Sequence, residues 1–289
     1  MGEVWSAKDE HTGAEVAVKT LREQAARNPG LTLRFQREAD LLSRITSPFV
    51  PTFHDALPDD AGRLCLVTER LDGETLEERL RRVRLMPLGE LGRIVDQVLE
   101  GLGAAHAAGI VHRDLKPENV FLVATSTGET AKLIDFGVSR SVGDDDDDDA
   151  VGLTTDGATV GSLGYMSPEQ LVDPSAVDAR ADLYALGAIV FRALTGALPF
   201  PDKAALGIRM KQDFAAPTLQ EATGTSWPEP LSAFVARLLE RDPADRFRNV
   251  ESTVDVWASA RRSAALPHLP GAIDVESTAT MTHTPRRKR

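Results

Sequence analysis

The fold is decided by the stretch His112-Arg113-Asp114-Leu115-Lys116-Pro117-Glu118-Asn119, which lies inside a chain of 289 residues. A second motif, Asp135-Phe136-Gly137, begins sixteen residues after Asn119. A third, Val16-Ala17-Val18-Lys19, stands upstream, and a fourth, Ser167-Pro168-Glu169, stands downstream. Each motif alone is a weak signal, but four of them in this order and spacing indicate one shared function.

The sequence on both sides of the central stretch predicts helices. An amphipathic helix that is stopped by Gly109 is predicted from apolar residues at helical spacing, namely Leu91, Ile94, Val95, Val98, Leu99 and Leu102. Downstream, the run from Asp182 to Leu194 is almost entirely apolar, which predicts a helix that is buried on all sides. Two further helices are expected near Leu231–Glu240 and Val250–Ser263.

The part of the chain before the central stretch contains predicted strands. Glu15–Lys19 and Leu64–Glu69 are short runs that fit strands. Between them, the break Asn28-Pro29-Gly30 is followed by a predicted helix from about Leu31 to Ile45. Strands first and helices later predict an α+β protein with two lobes.

Together the four motifs resemble the signature of protein kinases: the catalytic loop, the metal-binding DFG motif, the strand lysine and the APE box, here with serine in place of alanine. The resemblance runs from Gly2 to about Arg262, and Tyr165–Gln170 is similar to the motif of bacterial kinases of the eukaryotic type. It implies a bilobal protein-kinase fold, with a small antiparallel-sheet N-lobe that carries helix C and a larger, mainly helical C-lobe. We expect the N-lobe at residues 1–71, the C-lobe at 72–263 and a disordered tail at 264–289.

The resemblance assigns roles in phosphoryl transfer to four residues. Asp114 is the expected catalytic base, which accepts the proton of the attacking hydroxyl. Asn119 and Asp135 are expected to supply oxygen ligands to Mg²⁺, and Lys116 is expected to reach the γ-phosphate of ATP. A lysine at this position resembles Ser/Thr kinases rather than tyrosine kinases. The structural alternative, in which Asp114 and Asn119 only cap turns, stays open.

Lys19 and Glu38 are expected to form an ion pair. Lys19 lies inside an apolar strand, where a charge is costly unless it has a partner, and Glu38 falls on the apolar face of the predicted helix. The pair resembles the kinase ion pair between the strand lysine and helix C. In the alternative, Lys19 reaches solvent and either Glu15 or Glu23 competes for it.

The resemblance also implies a nucleotide site. Val4, Ala17 and Phe121 are expected to form apolar walls for the base, and the strand from Glu69 to Leu71 is expected to offer backbone hydrogen bonds. Thr68 falls at the gatekeeper position. For each wall residue, plain core packing is the alternative.

The glycine-rich loop of the family, G-x-G-x-x-G-x-V, is present here only as Gly2-Glu3-Val4. The first two glycines are missing, and so is the strand before them. We therefore expect a chain truncated at Met1, in which Gly2 contributes to a reduced cover over the phosphates and ATP binding is weakened rather than lost. The alternative is that Met1 is the natural start of the protein and that its glycine-rich loop is short.

Two structural contacts follow the same family pattern. Glu169 and Arg246 are expected to form an ion pair that ties the Ser167-Pro168-Glu169 segment to the C-terminal helices. Asp182 is expected to accept hydrogen bonds from backbone N–H groups of the catalytic loop. For Asp182 the alternative is a helix cap, worth about 1 kcal/mol.

The segment from Val138 to Ser167 resembles an activation loop. In the family, an arginine at the position of Arg113 pairs with a phosphorylated residue of this loop. The candidate phosphorylation sites are Thr154, Thr155 and Thr159. Ser162 is expected to bond Asp114 and Lys116. The run Asp144–Asp149 is most simply a solvated stretch, with repulsion of acidic substrates or phosphate mimicry as alternatives.

Composition limits the other classes of function. The net charge of -11 argues against nucleic acid as the main partner. The single cysteine, Cys65, excludes an internal disulfide and lies in an apolar run, as a buried side chain does. No apolar stretch is long enough to span a membrane, so a cytoplasmic location is expected. The basic end Pro285–Arg289 is either a membrane-proximal tether in a longer parent or a solubilising tail.

The sequence thus predicts a signalling enzyme that transfers the γ-phosphate of ATP, with Mg²⁺, to Ser or Thr of protein substrates and that autophosphorylates its activation loop. The runner-up is a catalytically weak, pseudokinase-like binding module. The incomplete glycine-rich loop favours the runner-up, whereas the intact Lys19, Asp114, Asn119 and Asp135 oppose it. A small-molecule phosphotransferase is a third candidate. Two segments oppose it, Lys116-Pro117-Glu118 and Ser167-Pro168-Glu169, because they resemble parts that dock protein substrates.

Overall fold

The computed structural model describes residues 2–125, 128–136, 163–174, 177–201 and 204–264. Gly137, most of the predicted activation loop and the predicted tail from residue 265 lie outside the described residues. The expectations that fall there concern Asp144–Asp149, Thr154, Thr155, Thr159, Ser162 and Pro285–Arg289. The described residues form an α+β fold, in which an antiparallel sheet with a helix packed against it precedes a mainly helical part.

The N-terminal sheet has the spatial order β1-β2-β4-β3, and its neighbouring strands are antiparallel. Its strands are β1 (Gly2–Lys8), β2 (Glu15–Leu21), β3 (Phe53–Pro58) and β4 (Leu64–Glu69). Val4 lies opposite Lys19, and Ala17 lies opposite Thr68. Because opposite residues of an antiparallel pair point to the same face, and every second residue of a strand does so too, these four side chains share one face of the sheet.

Helix α2 (Pro29–Leu42) packs against this sheet and follows the short helix α1 (Glu23–Ala26). The Asn28 side chain accepts a hydrogen bond from the backbone N–H of Leu31 at 3.2 Å, and Pro29 occupies the first turn. The predicted start at Leu31 was therefore two residues late, because Asn28-Pro29 is a helix-start signal and not only a break. The helix also ends before the predicted Ile45.

The mainly helical part follows the N-terminal sheet. Its helices are α3 (Leu76–Val83), α4 (Leu88–Ala107), α5 (Pro168–Val172), α6 (Arg180–Thr195), α7 (Ala204–Asp213), α8 (Leu219–Thr223), α9 (Glu229–Leu238) and α10 (Val250–Ala264). A small antiparallel sheet joins them and consists of β5 (Gly73–Thr75), β6 (Val120–Thr125) and β7 (Gly128–Leu133), in that order. A 3₁₀ turn at Pro117–Asn119 leads into β6.

Helix α6 is the centre of this part of the molecule. Every residue from Ala181 to Phe191 is buried, which confirms the predicted burial on all sides. Helices α4 and α9 pack against it. Gly196 ends the helix with φ of +76°, a left-handed conformation that glycine adopts at little cost.

Helix α3 and the small sheet were not anticipated from the sequence. Five of the eight residues of α3 are charged, so its apolar face is narrow and its periodicity is weak. A capping box was nevertheless readable: Glu78 N–H donates to the Thr75 hydroxyl at 3.2 Å, and Thr75 N–H donates to the Glu78 carboxylate at 2.8 Å. Strand β5 has only three residues, too few to identify from the sequence alone.

Two expectations from composition can be compared with the fold. Cys65 is a buried free thiol in β4, as its apolar neighbours predicted. In the part of the chain that the structure describes, the helices fall short of the length and apolar character needed to cross a bilayer.

Arg246 ties the segment before α10 to helix α5. Its fully buried guanidinium donates to both carboxylate oxygens of Glu169, at 2.7 and 2.8 Å, which confirms the predicted contact. It also donates to the backbone carbonyls of Arg180, Glu240 and Arg241. A bidentate pair of this kind fixes orientation as well as distance.

We predict that Arg246→Ala lowers the free energy of unfolding by about 3–5 kcal/mol, because it removes a fully buried guanidinium and leaves a partly buried carboxylate and backbone carbonyls without their cation. Chemical denaturation measures this loss. Arg27→Ala is the matched control, since Arg27 pairs with Glu23 where the two side chains are 77% and 74% exposed. The control should change stability by no more than about 0.5 kcal/mol. Equal losses in the two variants would contradict the role of Arg246.

Candidate active site

A cleft of about 330 Å³ lies between the N-terminal sheet and the segment that follows β7. The predicted site residues that line it are Val4, Ala17, Lys19, Glu38, Thr68, Glu69, Leu71, Phe121 and Asp135. Arg70, within the predicted stretch from Glu69 to Leu71, lines it too, and the lining residues that sequence reasoning missed are Trp5, Ser6, Leu42, Pro51, Leu66 and Ile134. Alternation along β1, β2 and β4 was the signal that could have found Ser6 and Leu66.

Gly2 and Val4, which were predicted to contact the nucleotide, lie less favourably for that contact than the other predicted residues. Gly2 opens β1 opposite Leu21 and is not among the residues that line the cleft. Val4 lines the cleft but is 68% exposed, so the wall that it forms is open to solvent. A larger cavity of about 560 Å³, next to α1, contains none of the predicted site residues.

Lys19 Nζ lies at the back of the cleft between two carboxylates. It donates to Glu38 Oε1 at 2.6 Å, so the predicted ion pair is present. It also donates to Asp135 Oδ1 at 2.8 Å, a contact that the sequence did not reveal. The competing partners are engaged elsewhere, because Glu15 pairs with Arg70 and Glu23 pairs with Arg27.

Burial and neighbouring charges shift the pKa values of Lys19 and Glu38 in opposite directions. Burial alone would lower the pKa of the Lys19 ammonium, but the charges of Asp135 and Glu38 outweigh it and hold that pKa above its ordinary value. Burial raises the pKa of the Glu38 carboxyl, and the charge of Lys19 offsets this only in part. Lys19 therefore keeps its charge, whereas Glu38 takes up a proton more readily than an exposed glutamate does.

The loop that carries Asp114 is held by short-range hydrogen bonds. Lys116 Nζ donates to Asp114 Oδ2 at 2.8 Å. The buried Asn119 amide nitrogen donates to the Asp114 backbone carbonyl at 2.8 Å and to Asp114 Oδ2 at 3.1 Å. These contacts bring the three predicted catalytic residues together. They use the amide nitrogen of Asn119, so its amide oxygen is the atom that it could offer to a cation.

Asp182, at the start of α6, fixes the backbone of the same loop. Its carboxylate accepts the backbone N–H groups of His112 and Arg113, each at 2.8 Å, which confirms the predicted contact. His106 Nε2 lies 2.7 Å from Asp182 Oδ2, a partner that the sequence did not predict. Arg113 has φ of +62°, and a strained backbone of this kind persists only where its surroundings hold it.

His112 connects this loop to the segment that carries Asp135. The His112 ring lies 4.6 Å, centroid to centroid, from the ring of Phe136, and its Nε2 lies 3.2 Å from the Ile134 carbonyl. Burial lowers the pKa of His112, so the imidazole is neutral and can donate from Nε2 to that carbonyl. The Ile134 N–H in turn donates to the Asn119 carbonyl at 3.0 Å. Asn119 and Asp135 are thereby held on adjacent backbone segments.

The side chain of Glu69 is already engaged. Its carboxylate accepts from Lys132 Nζ at 2.7 Å and from the Thr52 backbone N–H at 3.1 Å. Burial would raise the pKa of Glu69, but the hydrogen bond from Lys132 outweighs it and keeps that pKa below the ordinary value. The Glu69 backbone N–H is engaged as well, since it donates to the Thr52 carbonyl at 2.8 Å, so the predicted backbone contact with a ligand is confined to the Glu69 carbonyl.

This chain is similar in sequence to known proteins over most of its length. The model of the family described as "Protein kinase domain" matches residues 1–258. Serine/threonine-protein kinase pkn2 of Myxococcus xanthus is 38% identical over 279 residues, which cover 94% of this chain and 32% of that protein. Serine/threonine-protein kinase PknB of Mycobacterium leprae is 34% identical over 253 residues, which cover 86% of this chain and 39% of that protein. The chain thus spans well under half the length of these two relatives.

A solved structure gives the same result for the fold. The kinase domain of Mycobacterium tuberculosis PknI matches with a TM-score of 0.67 at 28% sequence identity, covering 90% of this chain and 91% of that chain. The sequence match and the shared fold agree with the geometry of the cleft and the loop, and this chain belongs to the protein kinase domain family.

Proposed function

We propose that this chain transfers the γ-phosphate of ATP to Ser or Thr hydroxyls of protein substrates. The observation that carries the proposal is the contact of Lys19 Nζ with both Glu38 and Asp135, which joins the sheet, helix α2 and the segment after β7 at one point. The names of the relatives, serine/threonine-protein kinases, support the same class of substrate.

Asp114 is the proposed catalytic base. Hydrogen bonds from Lys116 and Asn119 hold its carboxylate in one orientation, so that it can accept the proton of an attacking hydroxyl. Lys116 adds a positive charge beside that carboxylate for the phosphate being transferred. Lys19 is the proposed contact to the other phosphates of ATP, kept charged by its two carboxylates.

The residues present fit a divalent cation at Asp135 and Asn119. Both supply hard oxygens, and Mg²⁺ commonly takes one or two protein carboxylates together with waters and substrate phosphates. Asp135 and Asn119 would hold the Mg²⁺ ion, which would supply positive charge to neutralise the phosphates during transfer.

The adenine base is proposed to lie between Ala17 and Phe121, which line the cleft together with Thr68. The backbone from Glu69 to Leu71 would hydrogen-bond its edge. We propose that residues 1–71 form the N-lobe and that residues 72–263 form the C-lobe.

A catalytically weak regulatory module is the second candidate, and the geometry does not favour it. Pseudokinase-like modules lack one or more of the groups that position ATP. Here Lys19, Asp114, Asn119 and Asp135 are all present and lie in mutual contact or on adjacent backbone segments.

We predict that Asp114→Asn lowers kcat by roughly 10²–10⁴-fold, the usual contribution of a general base. Transfer of labelled phosphate from ATP to a basic acceptor protein measures kcat. The melting temperature should stay near that of the wild type, because the amide can keep the hydrogen bond to Lys116. Asp60→Asn, at an exposed position in the β3–β4 turn, is the matched control and should leave kcat unchanged. Near-normal turnover by Asp114→Asn would remove Asp114 from the mechanism.

A second prediction concerns the pH dependence of ATP affinity. The pKa of Glu38 is raised, so the ion pair with Lys19 is complete above that pKa and is lost as the pH falls through it. The Kd of the wild type for Mg²⁺–ATP should therefore increase on acidification, at a pH above the ordinary glutamate value of about 4.3. In Glu38→Gln the Kd should be raised at every pH and change little over the same range.

Isothermal calorimetry at several pH values measures these constants, with thermal unfolding as the check that each sample is folded. A pH dependence in Glu38→Gln equal to that of the wild type would show that Glu38 is not the group that titrates.

A further inference from the structure

Lys211, on helix α7, is a buried lysine that the proposed mechanism does not use. It is 1% exposed, although lysine is among the residues least often buried. Its ammonium donates to three backbone carbonyls: Leu163 at 2.6 Å, Gly164 at 2.9 Å and Met166 at 2.7 Å. An ammonium has three protons to donate, and each has an acceptor in the segment Leu163–Met166.

The contact constrains both the Lys211 side chain and the backbone of Leu163–Met166. A buried ammonium is costly unless its protons are hydrogen-bonded, so the segment must hold its carbonyls toward α7. The ring of Tyr184, on α6, lies 5.5 Å from Lys211 Nζ and adds a favourable aromatic face. Lys211 therefore favours one backbone conformation of Leu163–Met166.

This segment lies beside the proposed catalytic base. Tyr165 and Met166 line one small cavity together with Asp114 and Arg113. Gln170, on helix α5 just after the segment, lines the same cavity, and its amide nitrogen donates to the Arg113 carbonyl at 2.8 Å. The cleft proposed for ATP is lined by other residues, so Leu163–Met166 borders Asp114 outside the nucleotide site.

The segment is held from further directions as well. The Tyr165 hydroxyl contacts Arg192 of α6, and Glu169 is bound by Arg246. A methyl group added at Gly164 would lie 2.5 Å from the side chain of Leu198, so the backbone there is closely packed. Lys211 differs from these anchors because it binds the backbone itself, at three carbonyls in four residues.

We infer that Lys211 is a positioning residue for the protein substrate: it holds Leu163–Met166 as the surface that seats the acceptor polypeptide next to Asp114. The inference rests on the proposed function. A polypeptide that brings a Ser or Thr hydroxyl to Asp114 meets this segment, whereas ATP meets the cleft. Lys211 should thus govern the use of the acceptor and not the binding of the nucleotide.

The test is steady-state kinetics of Lys211→Met, with myelin basic protein as the acceptor and with water as the only acceptor. The expected result is a fall in kcat/KM for the acceptor protein of roughly 10- to 100-fold, the cost of a misplaced reactant. The KM for ATP and the rate of ATP hydrolysis to water should stay within about twofold of the wild type. A parallel loss in all three quantities, or no loss at all, would overturn the inference.

Arg209→Met is the matched control, because Arg209 lies on the same helix with its side chain 82% exposed. It should leave all three quantities unchanged. Lys211→Gln keeps amide donors without the charge and should show a smaller loss of the same acceptor-specific kind. If Lys211→Met does not fold, Lys211→Gln decides the question, and an unchanged kcat/KM for the acceptor then overturns the inference.

Hydrogen exchange separates this inference from the proposed function. The peptide that covers residues 163–170 should exchange faster in the Lys211 variants than in Arg209→Met, whether or not the wild type transfers phosphate. A wild type without phosphate transfer would remove the proposed function and, with it, the role of the segment in seating an acceptor. Unchanged exchange would show that Lys211 does not position the segment.

Discussion

The ammonium of Lys19 is the point on which the active-site geometry depends. It brings together strand β2, helix α2 through Glu38 and the segment after β7 through Asp135. These elements are far apart in sequence, since Lys19 and Asp135 are separated by 116 positions. The lysine stays charged because two carboxylates outweigh the cost of its burial. That charge is what a nucleotide phosphate would meet.

In the mainly helical part, buried charges bind backbone groups as well as other side chains. Asp182 binds the N–H groups of the catalytic loop, Arg246 binds the carbonyls of Arg180, Glu240 and Arg241, and Lys211 binds three carbonyls of Leu163–Met166. A buried ion satisfied by backbone groups is lost only at a high cost, so each holds its loop in one conformation. The proposed base Asp114 lies among these loops, and its position is set by them.

The sequence predicted the motifs, the main helices and the Lys19–Glu38 pair, because each follows from local spacing or from a charge that needed a partner. It could not predict that Asp135 reaches Lys19, that Lys132 binds Glu69 or that Lys211 is buried. Periodicity places a side chain on a face of its own element, and the partner across the fold is set by tertiary packing. The late start predicted for α2 had a different cause, since Asn28-Pro29 was read as a break although it is also a start signal.

The most direct test of the account is phosphoamino acid analysis of a basic acceptor protein after incubation with γ-labelled ATP, Mg²⁺ and either the wild type or Lys19→Met. The account predicts label on serine or threonine of the acceptor with the wild type and its loss with Lys19→Met, while both proteins melt cooperatively. A wild type that transfers no label, or a Lys19→Met variant that transfers as much as the wild type, would contradict it.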